Sequence, residues 1–419
     1  MKLLLLLLFT GFNFLLFAQK EEGQQWCKAL SDRSFFGRGY VKGGDSLAAA
    51  YIAGEFKRLG VQPLGKSYFQ SFDFRVNTFP TDIQLIINGK ELELGKEYIP
   101  NEESGAFIGD WKFRIITVSE LMHPEKLVTT RDSLMKKTYS GIVINACGLK
   151  GDTLDMANAL SAFFIQHGNI LKIVDKKESF SVAGAQYPYA FFVVQKEALP
   201  ENITSIKSII KPVLKQHKTQ NVIGFIPAAK KNAPYLFFTA HYDHLGGIGN
   251  QVFFPGASDN ASGVAMLLSM ADYYKKNPSD YNMVFIAFAG EEAGLLGSKY
   301  YVEHPVIPLS KIKFLINLDL MGNGEDGITV VNGSVFKKEF ELLQSINNEK
   351  NYLPVIKSRG KAANSDHYFF TEKGVPSFFI YTMGKNLNYH DVFDVYEDLS
   401  FAKFNEIVWL LIDFVEKIE

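Results

Sequence analysis

The chain has 419 residues, 44 basic against 45 acidic side chains, a formal net charge of −1 and 47% hydrophobic residues. That length holds two or three domains with real cores. The balanced charge offers no basic block for nucleic acid and no acidic solvating tail, and a mean hydropathy near zero argues against a multi-span membrane protein. In chain order, Met1 and Lys2 precede an almost wholly apolar run from Leu3 to Phe17, and Ala18 then meets the polar Gln19-Lys20-Glu21-Glu22. This is the layout of a secretory signal peptide over residues 1–18, and the run falls short of the ~20 residues that a spanning helix needs. The expectation is an exported protein, secreted or periplasmic, with no stable membrane anchor after cleavage.

Leu47, Ala50, Tyr51, Ile52, Phe56 and Leu59 recur mostly at three- and four-residue spacing, and Gly60 is placed to end that helix. Tyr68 to Val76 alternates like a strand. From about Ile83 to Leu214 the texture changes to short β-rich runs, at 83–87, 113–118, 141–145, 170–174 and 189–194, separated by Gly, Asn and Asp turn signals. No acid or histidine cluster falls there, so residues 83–214 read as an inserted β-rich domain between an N-terminal piece, 19–82, and a C-terminal segment, 215–419. An insertion without candidate ligands is expected to be removable.

From Asn221 the pattern becomes α/β. Runs at 222–226, 235–239, 284–288 and 314–318 read as strands, and 261–274, 295–302, 336–347 and 401–418 as helices. Alternation of this kind implies a largely parallel mixed sheet covered by helices on both faces, with ligands bound beyond the carboxyl ends of the strands. Carboxylates and histidines gather there: His241-Tyr242-Asp243-His244, Ser258-Asp259-Asn260, Gly290-Glu291-Glu292, Leu318-Asp319 and Tyr389-His390. Four carboxylates in one pocket repel each other, and a pair of divalent cations removes that repulsion. Imidazole nitrogen and carboxylate oxygen are ligands that zinc accepts, and such sites do hydrolysis. Adjacent Glu291 and Glu292 diverge, so one can bind metal while the other faces the substrate water. Cys27 and Cys147 leave room for one bridge or two idle thiols, and neither sits at a metal-ligand spacing. Sequons occur at Asn202, Asn260 and Asn332, of which Asn260 lies inside the cluster.

Taken in order, His-x-Asp, Pro-Gly-Ala-x-Asp-Asn-Ala-Ser-Gly, Gly-Glu-Glu, Leu-Asp and Tyr-His resemble the co-catalytic zinc peptidases of the M28 aminopeptidase family over about residues 221–395. Residues 48–74 are similar to that family's N-terminal helix and following strand, and 83–214 loosely to the protease-associated domain many members carry. The resemblance implies two Zn2+ per chain, with His241 and Asp319 on one ion, Glu292 and His390 on the other, and Asp259 bridging. It implies Glu291 as the general base toward the attacking water and Asp243 as the acid behind His241. Tyr389 is the implied donor to the oxyanion, because Ala362, Ala363 and Asn364 precede Ser365-Asp366-His367 where other members supply a tyrosine. The first residue of the family's usual Asp-Asp pair is Ser258 here, while the liganding second position is intact.

The implied activity is a zinc-dependent exopeptidase, an aminopeptidase acting on peptide substrates, although the same family includes carboxypeptidases. A related single-zinc glutaminyl cyclase would carry an insertion after Gly-Glu-Glu-Ala, where this chain runs straight into Gly294-Leu295-Leu296-Gly297-Ser298. A non-catalytic binding ectodomain would have lost ligands, and all five and the base are present. Oligomeric state is not legible.

Overall fold

Every site-bearing loop leaves one mixed sheet. The computed structural model describes all residues except 1–19, 122, 124–126, 177, 251, 386, 387 and 419. The signal-peptide expectation lies outside the described residues. Among them, no helix is long and apolar enough to cross a membrane.

Helix α1 (Gly44–Arg58) buries Ala48, Ala49, Ile52, Ala53 and Phe56 along one stripe, with Asp45 in its first turn and Lys57 and Arg58 in its last, as the helix dipole favours. Gly60 ends it at φ 75°. There the Val61 N–H donates to the Phe56 carbonyl (2.9 Å) and the Gly60 N–H to the Lys57 carbonyl (3.1 Å), closing a Schellman turn that only glycine enters without strain.

The main sheet contains β1 (Gln62–Pro63), β2 (Phe69–Thr78), β3 (Val213–Ile226), β4 (Tyr235–His241), β5 (Asn282–Phe288), β6 (Ile312–Leu318), β7 (Gly327–Val331), β8 (Ile356–Ser358) and β9 (Ser377–Met383). Their order is β1-β3-β5-β4-β6-β9-β7-β8, with β2 also on β3. The central pairs β5–β4, β4–β6 and β6–β9 are parallel. The pairs β3–β5 and β9–β7 are antiparallel. In β4 and β5 nearly every residue is buried, because both faces are covered. The period of two sorts their side chains. Leu236, Phe238, Met283 and Phe285 face the core under α1, α2 (Gly263–Lys276), α4 (Lys337–Lys350) and α6 (Phe404–Lys417). Phe237, Val284, Ile286 and Phe288 face Tyr301 of α3 (Leu296–Glu303) and Phe370 of α5 (His367–Glu372).

The expected helices and central strands form within a few residues of their expected ends. Strands β7, β8 and β9 are not among the expected strands; β7 and β8 are short, while β9 is an apolar run set off by Gly374 and Pro376 that the sequence reading passes over. Strands β2 and β3 form a long antiparallel ribbon from Val213 opposite Thr78 to Val222 opposite Phe69. The segment between the ribbon's two strands folds as two further sheets. Four short antiparallel strands pair in the order 90–91, 84–87, 206–210, 107–110. Five strands pair in the order 98–100, 191–195, 169–174, 141–145, 113–116, all parallel except at the 98–100 edge. Helices Val128–Met135 and Asp152–Phe164 accompany them; the second buries Ala157, Ser161 and Phe164 at helical spacing, a signal overshadowed by the β-rich runs on either side. Cys27 is buried and Cys147 half-buried, and both are free thiols.

Candidate metal and catalytic site

Strand β4 delivers His241 at its last residue, β6 is followed at once by Asp319, and β5 leads within four residues to Glu291 and Glu292. Asp259 precedes α2 in a turn flanked by two glycines. Gly256 has φ 58°, and a Cβ there would stand 2.2 Å from the Asp259 carbonyl oxygen and 2.3 Å from the His244 ring. A Cβ on Gly263 would meet the Asn260 carboxamide at 2.2 Å. The loop therefore closes only with glycine at both positions. The Asn260 carboxamide donates to the Leu318 carbonyl (3.0 Å) and accepts from the Gly263 N–H (2.9 Å), so this buried sequon is a structural amide. Asn332 is buried likewise, and Asn202 is exposed.

The five expected ligands come together around Asp259. Its Oδ1 lies 3.2 Å from His241 Nε2, which is also 3.4 Å from Asp319 Oδ1. Its Oδ2 lies 3.2 Å from His390 Nε2, which is 3.0 Å from Glu292 Oε2. One carboxylate thus serves two clusters, one oxygen to each. His244, read from sequence as a loop residue shaping the pocket, joins the second cluster: its Nδ1 is 2.7 Å from Glu292 Oε1. Its place three residues after His241 is the only signal, and a neighbouring histidine in a loop is usually bland.

Supports behind these groups come from distant parts of the chain. The expectation for Asp243 is a carboxylate holding His241. Instead the Asp243 main-chain carbonyl takes the His241 Nδ1–H (3.1 Å), and the carboxylate stands 3.9 Å away. That carboxylate accepts Tyr40 Oη–H (2.5 Å) and the backbone N–H groups of Glu291 (3.2 Å) and Glu292 (3.3 Å), so it shapes the glutamate turn. Asp394 accepts the N–H groups of Ser258 (2.9 Å) and Asp259 (3.0 Å). A chain of hydrogen bonds runs from Thr239 through Asn317 (2.7 Å) and Ser365 (2.8 Å) to Asp319 Oδ2 (3.2 Å). Asp366 and His367 are fully buried nearby; burial pushes the Asp366 carboxyl up to about 7 and the His367 imidazole down to about 4.

Arg38 is the residue sequence reasoning misses outright. Its guanidinium is fully buried and donates to the carbonyls of Tyr242 (2.8 Å), Leu30 (2.9 Å), Pro255 (2.7 Å), Gly256 (2.7 Å) and Asp259 (3.2 Å). A lone arginine in Gly-Arg-Gly carries no motif. Only the fold brings it under the 242–259 loop.

The inserted segment also reaches the site. The His390 Nδ1–H donates to the Phe180 carbonyl (3.0 Å), and the Phe180 ring stacks on Phe254 at 5.0 Å. Leu245, Ile248 and Phe254 share a buried cluster with Phe79, Leu85 and Phe192. Removal is therefore expected to cost more than the sequence suggests. A chain lacking residues 83–214 should bind added zinc at least tenfold more weakly, the lower end for losing a hydrogen bond behind a metal-binding imidazole, and should bind a hydrophobic dye through the uncovered residues. Unchanged zinc affinity in competition with a chelator would show that Phe180 is dispensable.

The charges fit cations. Burial alone would lower both imidazoles, but the acids beside them win: Glu291 and Asp319 hold His241 well above its ordinary range, and Glu292 and Asp259 hold His390 at about 11. Burial and neighbouring acids raise the Asp319 carboxyl, and raise Glu291 well above the usual carboxylate range. Protons thus stand in for positive charge, and divalent ions would supply the same charge while freeing the ring nitrogens. Asp319 Oδ1 and His390 Nε2 are buried with no hydrogen bond among the described residues, as atoms aimed at a cation would be. The donor set, two imidazole nitrogens and three carboxylates, suits zinc. A cavity of about 230 Å³ opens on His241, Asp259, Glu291 and Asp319 and is walled further by Arg359 and Tyr389. Tyr389 is half exposed and stacks on the His390 ring at 3.9 Å.

Residues 221–415 match the model of peptidase family M28. The match takes in just under half of the chain. The chain is 35% identical over 178 residues to aminopeptidase YwaD of Bacillus subtilis, an alignment covering 38% of this chain and 34% of that protein. The chain thus spans about a third of the length of that curated relative. Two solved structures share the fold across almost the whole chain. One is BSAP, a zinc aminopeptidase from Bacillus subtilis, with TM-score 0.67 at 21% identity, covering 94% of both chains. The other is an aminopeptidase from Aneurinibacillus sp. strain AM-1, with TM-score 0.65 at 20% identity, covering 95% of this chain and 93% of that one.

Proposed function

We propose that the protein is an exported zinc-dependent aminopeptidase with two zinc ions per chain. The observation that carries the reading is the shared Asp259, whose two oxygens face two separate donor clusters beside a single cavity. His241 and Asp319 would hold one ion, Glu292 and His390 the other, with Asp259 between them. His390 is preferred to His244 as the ligand for a physical reason. A ligating imidazole donates its other N–H to a carbonyl or carboxylate, and His390 Nδ1 meets the Phe180 carbonyl while its Nε2 lies between Asp259 and Glu292. His244 spends its Nδ1 on Glu292 and orients that carboxylate.

Zinc bound there supplies Lewis-acid polarisation of the scissile carbonyl and a lowered pKa for the attacking water. Glu291 takes the proton from that water and passes it to the leaving amine, a transfer open to a carboxylate that lines the cavity without being one of the five ligands. Tyr389 donates its hydroxyl to the developing oxyanion. A site acid receives the α-ammonium of the substrate, which sets N-terminal direction. That YwaD and BSAP are both aminopeptidases by name supports this direction.

The test is a peptide-library digest with mass readout, with and without chelator. Free N-termini should be trimmed, N-acetylated peptides should resist, C-terminal amides should be cut, and chelator should stop all cleavage. Trimming of acetylated peptides from the C-terminus would reverse the direction. Metal analysis should give two zincs per chain, the count of a co-catalytic site. Asp259→Asn should lower both occupancies together; if it emptied only one site, Asp259 would not bridge.

A further inference from the structure

The cavity beside the zinc-type cluster has a cationic wall that no ligand motif announces. Arg359 lines it together with Asn364, Phe379, Tyr381 and Tyr389. The residue follows β8, where its N–H donates to the Val330 carbonyl (2.9 Å) and its own carbonyl accepts the Ser334 N–H (3.3 Å), so the main chain is anchored at the sheet edge. Arg359 Nη1 donates to Tyr381 Oη at 2.9 Å, and the guanidinium carbon lies 6.0 Å from that ring's centre. This one bond orients the fork and leaves its other N–H groups open. Arg359 has no ion-pair partner among the described residues. Nearby Lys361, by contrast, is tied up in an ion pair with Glu372.

The placement of charge sharpens the point. Asp259, Glu291 and Asp319 line one side of the cavity and Arg359 the other, so the pocket offers a cation away from the carboxylate cluster. A planar guanidinium oriented by a tyrosine matches a carboxylate through two parallel hydrogen bonds. At roughly 30 Å³ per water, a cavity of about 230 Å³ is on the scale of one amino-acid side chain.

We propose that Arg359, set by Tyr381, is the specificity residue of this pocket and recognises a substrate carboxylate, in the first instance the side chain of an N-terminal Glu or Asp. This rests on the peptidase reading above. The same chemistry has a second source, the main-chain carboxylate of a C-terminal residue, and the experiment separates the two.

Zinc-loaded wild type and Arg359→Gln are compared on Glu-Ala-Ala-amide, Leu-Ala-Ala-amide and acetyl-Ala-Ala-Leu. Arg359→Gln should lower kcat/KM on the Glu peptide by ~10–100-fold, the span that losing a hydrogen bond to a charged group produces, and leave the Leu peptide within a factor of about three. Arg359→Glu should shift preference toward Lys-Ala-Ala-amide, and Arg359→Lys should recover part of the Glu preference. A loss confined to acetyl-Ala-Ala-Leu would keep carboxylate recognition, move it to the chain terminus and overturn the aminopeptidase direction. Equal rates for all variants, or an equal fall on every peptide, would overturn the proposal. Calorimetric binding of Glu-Ala-Ala-amide and Leu-Ala-Ala-amide to Glu291→Gln, with and without Arg359→Gln, decides the matter without turnover. If no peptide is cut, the peptidase reading fails while this binding difference still tests Arg359.

Discussion

Glu291→Gln should reduce kcat by ~10²–10⁴-fold, the usual contribution of a positioned general base, while leaving zinc content and the unfolding midpoint almost unchanged. The split follows from the geometry. Glu291 lines the cavity, but the imidazole nitrogen of His390 approaches Glu292, at 3.0 Å, and not its neighbour. The bond that shapes the Glu291 turn uses its backbone N–H, on Asp243 at 3.2 Å, and glutamine keeps it. Burial already penalises the Glu291 carboxylate, so a neutral isostere relieves the fold of that strain. Glu292→Gln should do the opposite, lowering zinc affinity, because Glu292 is the acid between His244 and His390. If Glu291→Gln lost zinc and Glu292→Gln kept it, the two roles would be exchanged.

Arg38→Met should destabilise the protein by ~3–5 kcal/mol, the range for breaking a buried charged network by removing one partner, read from the urea midpoint. Methionine fills much of the volume but leaves five buried carbonyls, of Leu30, Tyr242, Pro255, Gly256 and Asp259, without their donor. Asp243, Asp259 and Asp394, whose charges the guanidinium partly balances, would repel each other more strongly. Two of the five carbonyls, those of Gly256 and Asp259, belong to the turn that carries the shared carboxylate, so zinc should be lost along with stability. Arg38→Lys should fall between, since an ammonium has three donors for five acceptors. A wild-type midpoint in Arg38→Met would mean that the carbonyls find other partners and that Arg38 is not the keystone of the loop.

The division between chain and fold runs along the range of the interactions. Strands β4, β5 and β6 are long apolar runs buried on both faces, and α1, α2 and α6 carry apolar stripes at helical spacing; such patterns are local and readable. His241, Glu291, Glu292 and Asp319 stand directly after those strands, so a parallel sheet had to gather them at one edge. His390 and Asp259 are legible by residue type and order. What the local pattern cannot carry is everything that reaches the site from elsewhere: Arg38 from an N-terminal loop, Tyr40 on Asp243, the Phe180 carbonyl on His390, His244 on Glu292, and Arg359 in the cavity wall. Each acts through a hydrogen bond or a charge between residues far apart in sequence or turned inward by a loop. A backbone carbonyl such as that of Phe180 has no sequence signature at all. The central sheet, the order of acids and imidazoles along its edge and hence the chemistry follow from the chain's own local pattern. What holds those groups in place, and what the pocket beside them can recognise, follows only from the folded molecule, because burial and long-range hydrogen bonding exist only once the chain has closed on itself.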